Sequence, residues 1–365
     1  MENIWNIRTL SPREQEAAAR LSTELEISPL AGQILATRGL TTAAEARAYI
    51  RPSLDSLHDP FLMQDMGAAV DRLEKAVDNQ ERIMVYGDYD VDGTTAVALM
   101  YSFLKTQTDN IIYYIPDRYR EGYGISSEGI DVAKEEGCSL IIALDCGIKA
   151  IDKIAYADSL GIDCIVCDHH TPGEELPKAV AVLNMKRTDC HYPYKELSGC
   201  GVGFKLVQAY AQRKGIDMHQ VYDLLPLLAM SIASDIVPIT GENRILAFYG
   251  LRTINAKPSV GLRAIMKVAG IEDRNITISD LVYKIGPRIN ASGRIRTAAE
   301  AVQLLITRDA SFARQKSSEI DEYNNDRKDL DKSITDEAQE LIQLSEEMAS
   351  RSSIVVYKPD WHKGV

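Results

Sequence analysis

Hydrophobic positions along the chain fall into two regimes. Between residues 83 and 183 they form short unbroken runs rich in β-branched side chains, at 83–86, 111–115, 140–144, 163–167 and 179–183. Helix-period segments separate them, about 94–105, 128–136 and one after 144. Continuous apolar strands alternating with helices predict an α/β fold, a mostly parallel sheet with helices on both faces. From Gly201 onward the pattern is helical, about 201–214, 219–233, 242–255 and 259–269. Residues 1–70 read as short helices. Thr41 or Thr42 caps AAEARAYI and Pro52 stops it. A further helix, about 66–79, carries Met66, Val70, Leu73 and Val77 on one face.

The last stretch lacks glycine and proline between Gly293 and Pro359. Residues 309–349 are charged and helix-favouring, with Ile320, Tyr323, Leu330, Ile334, Ala338, Leu341 and Leu344 as a thin apolar stripe. The pattern fits a helical hairpin, or one helix of about 40 residues spanning roughly 60 Å and joining two domains. Residues 352–365 open like a fresh strand and then stop, which suggests an ending inside a further unit. The expected organisation is a helical segment 1–70, a core 71–308, a connecting helix 309–350 and the start of another domain at 351–365.

The 365 residues, 45% of them hydrophobic, allow two or three domains and a sizeable core. No run of 18 apolar residues occurs, so no membrane span is expected. The N-terminus has no signal-peptide pattern, and six cysteines in so long a chain form no disulfide framework. Reduced thiols and a cytoplasmic location are the expectation. The net charge of −12 argues against coating nucleic acid by bulk charge. Locally the sign inverts: residues 281–299 hold Lys284, Arg288, Arg294 and Arg296 and no acid.

The strongest chemical signal lies at three strand ends. Asp88, Asp90 and Asp92 follow the first strand, Asp145 follows the third, and Asp168, His169 and His170 follow the fourth. Open α/β sheets deliver such residues to one edge. Oxygen and imidazole donors without thiolates suit two Mg²⁺ or Mn²⁺ ions, a device for attacking phosphoesters. Acids crowded there repel one another unless a cation intervenes. An EF-hand reading of DYDVDG fails because Leu99 stands where a bidentate glutamate is needed. A phosphatase-type nucleophile at Asp90 leaves Asp168, His169 and His170 unexplained. Asp235, after an apolar helix, is either a further metal carboxylate or a polar helix end. Glycines 199–203 fit a phosphate-facing helix N-terminus or close packing equally well. Two basic segments suit phosphate and base contact: a loop with Arg118, Tyr123 and Ser126, and a second loop with Arg288, Asn290, Ser292 and Arg294.

The motifs DYDVDG, LDCG, CDHH and SIASDIVP, in this order, resemble those of DHH phosphoesterases. GPRINASGR, RYREGYGIS and the terminal WHKGV narrow the resemblance to the RecJ type, single-strand-specific DNA exonucleases of recombination and repair. It runs from about residue 52 to 365. It implies Asp90, Asp92, Asp145, His169 and Asp235 as metal ligands. It implies Asp88, Asp145 and His170 as catalytic groups, with His170 facing the scissile phosphate. It implies Arg288, Asn290, Ser292 and Arg294 as strand contacts, and 5′ to 3′ hydrolysis of single-stranded DNA with two Mn²⁺ or Mg²⁺ ions. A monomer, with a single-strand-binding protein and a helicase as partners, is also implied. One departure is Tyr86, where many DHH enzymes carry histidine; a phenol is a poor ligand, and Asp88 is the expected compensation. Another is the ending, since the resembling proteins continue into a DHH-associated domain and an OB fold that add strand affinity. The alternatives are a DHH phosphodiesterase for short oligonucleotides or cyclic dinucleotides, and an inactive DHH scaffold that binds DNA.

Overall fold

A computed structural model describes residues 4, 6, 8–344 and 351–364. Five strands form one parallel sheet: β1 (Arg82–Gly87), β2 (Ile111–Tyr114), β3 (Cys138–Leu144), β4 (Asp163–Cys167) and β5 (Ala181–Leu183), in the order β2-β1-β3-β4-β5. Sixteen helices are described: α1 (Pro12–Leu25), α2 (Pro29–Thr37), α3 (Ala43–Ile50), α4 (Met66–Asp78), α5 (Val91–Leu104), α6 (Ser127–Glu135), α7 (Ile151–Ser159), α8 (Gly199–Lys214), α9 (Met218–Tyr222), α10 (Leu225–Ser234), α11 (Gly241–Ala256), α12 (Val260–Val268), α13 (Ile278–Asp280), α14 (Gly286–Ile295), α15 (Ala299–Ile306) and α16 (Ala310–Gln343). Both sheet faces are apolar and covered. Ile83, Val85, Leu140, Ile142 and Ile165 enter the large core with α5, α8 and α10, while Met84, Ile141, Ala143, Cys164 and Val166 face α6 and α7. Cys164 and Cys167 belong to opposite faces, and all six cysteines are free and buried.

The expected α/β fold is therefore the observed one. The strand ends of β1 and β3 flank the point where the chain switches from building the sheet outward in one direction to the other, the usual crevice of this strand order. Among the described residues no helix is long and apolar enough to cross a membrane.

Four details depart from the sequence reading. The helix expected over 219–233 is two, α9 and α10, and Pro226 sits in the first turn of the second. GPRINASGR is not a loop: it forms α14, entered through a π-helical turn at Leu281–Ile285. The charged stretch is one helix, the second of the two alternatives, α16, about 51 Å long at 1.5 Å per residue; the departure lies in its packing. Its first half is no free spacer, because Ala313, Ser317, Ile320 and Asn324 are buried, with α12, α14 and α15 packed alongside. Residues 352–357 have strand-forming side chains yet form no strand, since no neighbouring strand there takes up their backbone groups. Residues 345–350 of the expected connecting helix lie outside the described residues.

The N-terminal helices make satellite clusters of their own, Ala17, Ala18 and Ala36, and Leu21, Leu35 and Ala46. Ser11 and Thr42 cap α1 and α3 with reciprocal Glu14 and Glu45 bonds. A buried ion pair then fastens the linker after α3. Lys205 and Glu242, 0% and 1% exposed, meet at 2.6 Å. Tyr192 donates to the same carboxylate at 2.6 Å, as does the His58 amide at 3.0 Å.

Candidate metal centre

Strand register sets the site. Gly87 pairs with Leu144, and Leu144 with Cys167. The next residues, Asp88, Asp145 and Asp168, therefore leave the sheet at one level. Asp145 adopts a left-handed conformation, φ 59°, rare for a residue with a side chain. This turn, and the bond from its amide to the Cys167 carbonyl at 2.9 Å, keep the carboxylate beside the crevice.

His169 stands at the centre. Its Nδ1 lies 3.1 Å from the Leu197 carbonyl, which can only accept, so Nδ1 carries the proton and Nε2 offers a lone pair. That Nε2 lies 3.3 Å from Asp145 Oδ1, 3.6 Å from Asp235 Oδ2 and 3.9 Å from Asp92 Oδ2. Asp92, Asp235 and His169 form one group able to share an ion, and Asp145, His169 and His170 a second. Asp92 is fixed from behind. Its carboxylate accepts from the Gly199 and Cys200 amides at 2.7 and 2.8 Å and from Ser231 Oγ at 2.7 Å. The positive end of α8 thus holds the Asp92 carboxylate. Gly199 matters for a second reason, because a Cβ there would overlap Asp145 Oδ1.

Electrostatics favour a cation. Neither Asp88 oxygen, nor Asp145 Oδ1, has a hydrogen-bond partner, though all three are buried. Burial, reinforced by Asp90, pushes Asp88 up to about 7. Burial, with Asp92 and Asp90, does the same to Asp235. Asp145 is driven well above the usual carboxylate range, first by burial and then by Asp92 and Asp90. Asp90 is raised by burial and Asp92. Without an ion, these acids favour the protonated form more than free carboxylates do; divalent ions in their midst remove the conflict. The donor set, carboxylates with imidazole and no thiolate, fits Mn²⁺ or Mg²⁺.

His170 is placed differently. Its Nδ1 meets Asp168 Oδ1 at 2.7 Å, and its Nε2 lies 3.3 Å from the Tyr123 hydroxyl. Tyr123 donates to the Asp145 carbonyl at 3.2 Å, so its oxygen is left to accept from His170. The hydrogen bond to Asp168 raises His170 above the ordinary imidazole value, so a cation is favoured. Asp168 is also pinned by the Ile148 amide at 2.9 Å. Burial would raise its pKa, but His170 outweighs that and holds it low.

The other expected site residues divide. Asp90 caps α5, accepting from the Gly93 amide at 3.0 Å, and neither it nor Asp88 joins the two ion-sharing groups. Tyr86 does not approach a metal. It is fully buried against Tyr114, donates to the Gly124 carbonyl at 3.0 Å and accepts from the Ser126 amide at 3.1 Å, so it shapes the RYREGYGIS loop. Arg118 lies over the Tyr89 ring at 5.0 Å, and Tyr123 meets the same ring edge-on. Ser126 is not a surface contact: it is buried, caps α6 and bonds Glu121. Ser292 is likewise fully buried. Arg288 is held by Asp321 at 2.8 Å and by the Lys284 carbonyl at 2.6 Å, so it ties α14 to α16. Asn290 is half-buried on α14. Arg294 reaches the Gly364 carbonyl at 2.9 Å. Asp168 as an anchor for His170, and Ser231 and the α8 amides as anchors for Asp92, were not read from the sequence. The aligned strand ends carried the first signal; the others come from distant segments and have none.

The profile of the DHH family, N-terminal domain, matches residues 82–232. A Bacillus subtilis single-stranded-DNA-specific exonuclease RecJ is 38% identical over 353 residues, 96% of this chain and 44% of that protein. The chain spans less than half the length of that relative. A crystal structure of exonuclease RecJ bound to manganese is 30% identical, covering 86% of this chain and 76% of that one, with a TM-score of 0.75. RecJ from Thermus thermophilus in complex with Mn²⁺ gives a TM-score of 0.81 at 28% identity, covering 99% of this chain and 50% of that one. Sharing this sheet, and this identity over three quarters of a manganese-bound exonuclease, the chain belongs to the RecJ family of DHH proteins.

Proposed function

We propose that the chain hydrolyses phosphodiester bonds of single-stranded DNA from the 5′ end, with two Mn²⁺ or Mg²⁺ ions held by Asp92, Asp145, His169 and Asp235 and by the neighbouring acids Asp88 and Asp90. The observation that carries this is His169 Nε2, facing three carboxylates while buried oxygens of Asp88 and Asp145 have no partner. When bound, such ions polarise the phosphate and lower the pKa of water. The protein residues do the rest. Leu197 and the α8 amides fix the donor directions before any ion arrives. Asp168 favours the protonated form of His170 at the edge of the cluster, and its Nε2–H passes from the Tyr123 oxygen to a phosphate oxygen when a strand is bound. Tyr89, Tyr123 and Arg118 line that edge and offer ring faces and a guanidinium to a strand. The names of the relatives, single-stranded-DNA-specific exonucleases, supply the substrate class. A monomer acting in the cytoplasm, beside a single-strand-binding protein and a helicase, completes the reading.

The test is a 5′-labelled single strand incubated with the chain and Mn²⁺. Mononucleotides released from the 5′ end, absent with chelator and with Asp145→Ala, sustain the proposal. Equal cleavage by Asp145→Ala removes it.

A further inference from the structure

A cavity of about 870 Å³ opens between the N-terminal helices and the core, within the size range of small-ligand sites. None of the metal-centre residues lines it. The end of α2, α3 and the linker after it form one side; the loop after α10 and the start of α11 form the other. Leu40, Ile239, Ile245 and Ile278 give it apolar walls. Its polar side is basic. Arg38 donates to the Tyr49 hydroxyl at 3.2 Å and Arg244 to the Tyr49 carbonyl at 2.6 Å, with the Arg244 guanidinium stacked 3.6 Å from the centre of the Tyr49 ring. Among the described residues, neither arginine has a carboxylate within ion-pair distance. The two acids on the lining are engaged elsewhere. Glu45 accepts from the Thr41 and Thr42 amides, and Glu242 is held by Lys205, Tyr192 and the His58 amide. The start of α11 adds to the positive side, since Gly241 reaches the lining and the Thr240 side chain does not cap the helix. Two guanidiniums drawn together by one neutral residue, beside a flat stacked wall and apolar walls, match a ligand with a planar body and an anionic group.

One wall of the cavity is tied to the metal centre. Pro238, Ile239 and Thr240 of the lining follow Asp235 directly along the chain, after Ile236 and Val237. Ile236 holds a left-handed conformation, φ 58°, which is strained for a β-branched residue, and its side chain is 83% exposed. Its own packing therefore does not set that backbone; the residues on either side do. The Pro238 carbonyl accepts from Asn243 and Tyr194 at 3.1 Å each. The same Asn243 amide donates to the Glu196 carbonyl, one residue before Leu197, whose carbonyl orients His169. A ligand that displaces Pro238 thus bears on Asp235 along the chain and on His169 through Asn243.

We propose that this cavity is an effector site for a small planar anion, a ring carrying a phosphate or a carboxylate, whose binding changes the metal affinity of the centre through residues 235–243. Both quantities are binding equilibria, independent of any strand cleavage.

Calorimetric titration of the full chain in chelator, with 5′-dAMP and separately with benzoate, distinguishes the two kinds of ligand. Binding of 5′-dAMP alone assigns the site to phosphate-bearing rings and binding of benzoate alone to carboxylates; either sustains it. Arg38→Gln is expected to weaken the bound probe about tenfold, one charge-assisted contact. Ala48→Trp, which sets an indole into the cavity from the exposed side of α3, is expected to abolish binding while the melting temperature holds. The coupling is read by titrating Mn²⁺ with and without saturating probe. A change in Mn²⁺ affinity of about fivefold is expected in the parent chain and none in Ala48→Trp, and Mn²⁺ must change the probe affinity by the same factor. A probe seated at the metal centre would bind both variants as it binds the parent, and that result overturns the proposal. Binding of both probes weaker than about 1 mM overturns it as well, as does a Mn²⁺ affinity that bound probe leaves unmoved. A strand left uncut by a chain that passes these tests removes the nuclease reading and leaves the effector site standing.

Discussion

Asp145 combines a left-handed backbone, complete burial and an oxygen with no partner. Replacing it with asparagine keeps the shape and removes the charge conflict. Asp145→Asn is expected to melt higher than the parent chain when metal-free at pH 8 and to lose most of the upward shift that Mn²⁺ gives the parent, read by scanning calorimetry. The acids also set a pH dependence. Asp88 and Asp235, raised to about 7 by burial and neighbouring carboxylates, bind protons more tightly folded than unfolded. Their stability contribution is fully present below the ordinary carboxylate range and is lost as pH rises through about 7. Metal-free protein should therefore melt a few degrees higher at pH 5.5 than at pH 8, and saturating Mn²⁺ should close or reverse that gap. A flat metal-free profile would contradict the burial of these acids. At this scale the sequence was legible where neighbours in sequence are neighbours in space. Asp92, Asp145, His169 and Asp235 came together as the motifs implied. Asp88 and Asp90 came only to the border, because Asp90 spends an oxygen on capping α5. Ser126 and Ser292 look like surface hydroxyls in a string of letters, and only packing shows them buried.

Elements were legible in proportion to their periodicity. The strand runs in the sheet gave themselves away by β-branched continuity, and the register that aligns Asp88, Asp145 and Asp168 follows from them. GPRINASGR misled because glycine and proline punctuate it, although Pro287 occupies a first-turn position where its missing amide does no harm. Arg288 shows what that change implies. On a loop it would contact a strand; on α14 it is locked to Asp321. Arg288→Ala should therefore loosen the α14–α16 contact, lowering stability by about 1–2 kcal/mol in denaturant titration. The Lys205–Glu242 pair is buried far more deeply. Lys205→Met strands a carboxylate beside Tyr192 and should cost about 3 kcal/mol, with much of it restored by adding Glu242→Gln. An additive double variant would show that the two charges do not depend on one another.

Across the whole molecule, cores are unequal. One face of the sheet shares a large apolar interior with α4, α5, α8, α10 and the later helices, and the other face forms a second core with α6 and α7, while α1 to α3 bury only small clusters of their own. They reach the rest chiefly through Tyr49, whose ring lies 3.6 Å from the Arg244 guanidinium and whose carbonyl accepts from it at 2.6 Å. A chain lacking residues 1–50 should lose a few degrees of melting temperature and still bind Mn²⁺, as read by calorimetric titration. Loss of Mn²⁺ binding on that deletion would place the helical segment among the supports of the centre. Long-range joins of this sort, between residues 49 and 244 or 58 and 242, leave no periodic trace in a sequence, which is why the helices could be read and their attachment could not.

Empty space at residue 199 is as much a component of the centre as any donor atom. A chain with alanine there would keep every acid and both histidines, and would match the motifs letter for letter. Its methyl group would nonetheless push aside the Asp145 carboxylate, one of the proposed donors, leaving a well-folded protein with an idle centre. Screening relatives for competence by their ligand letters alone therefore overcounts, and the neighbouring glycine is the letter to check next.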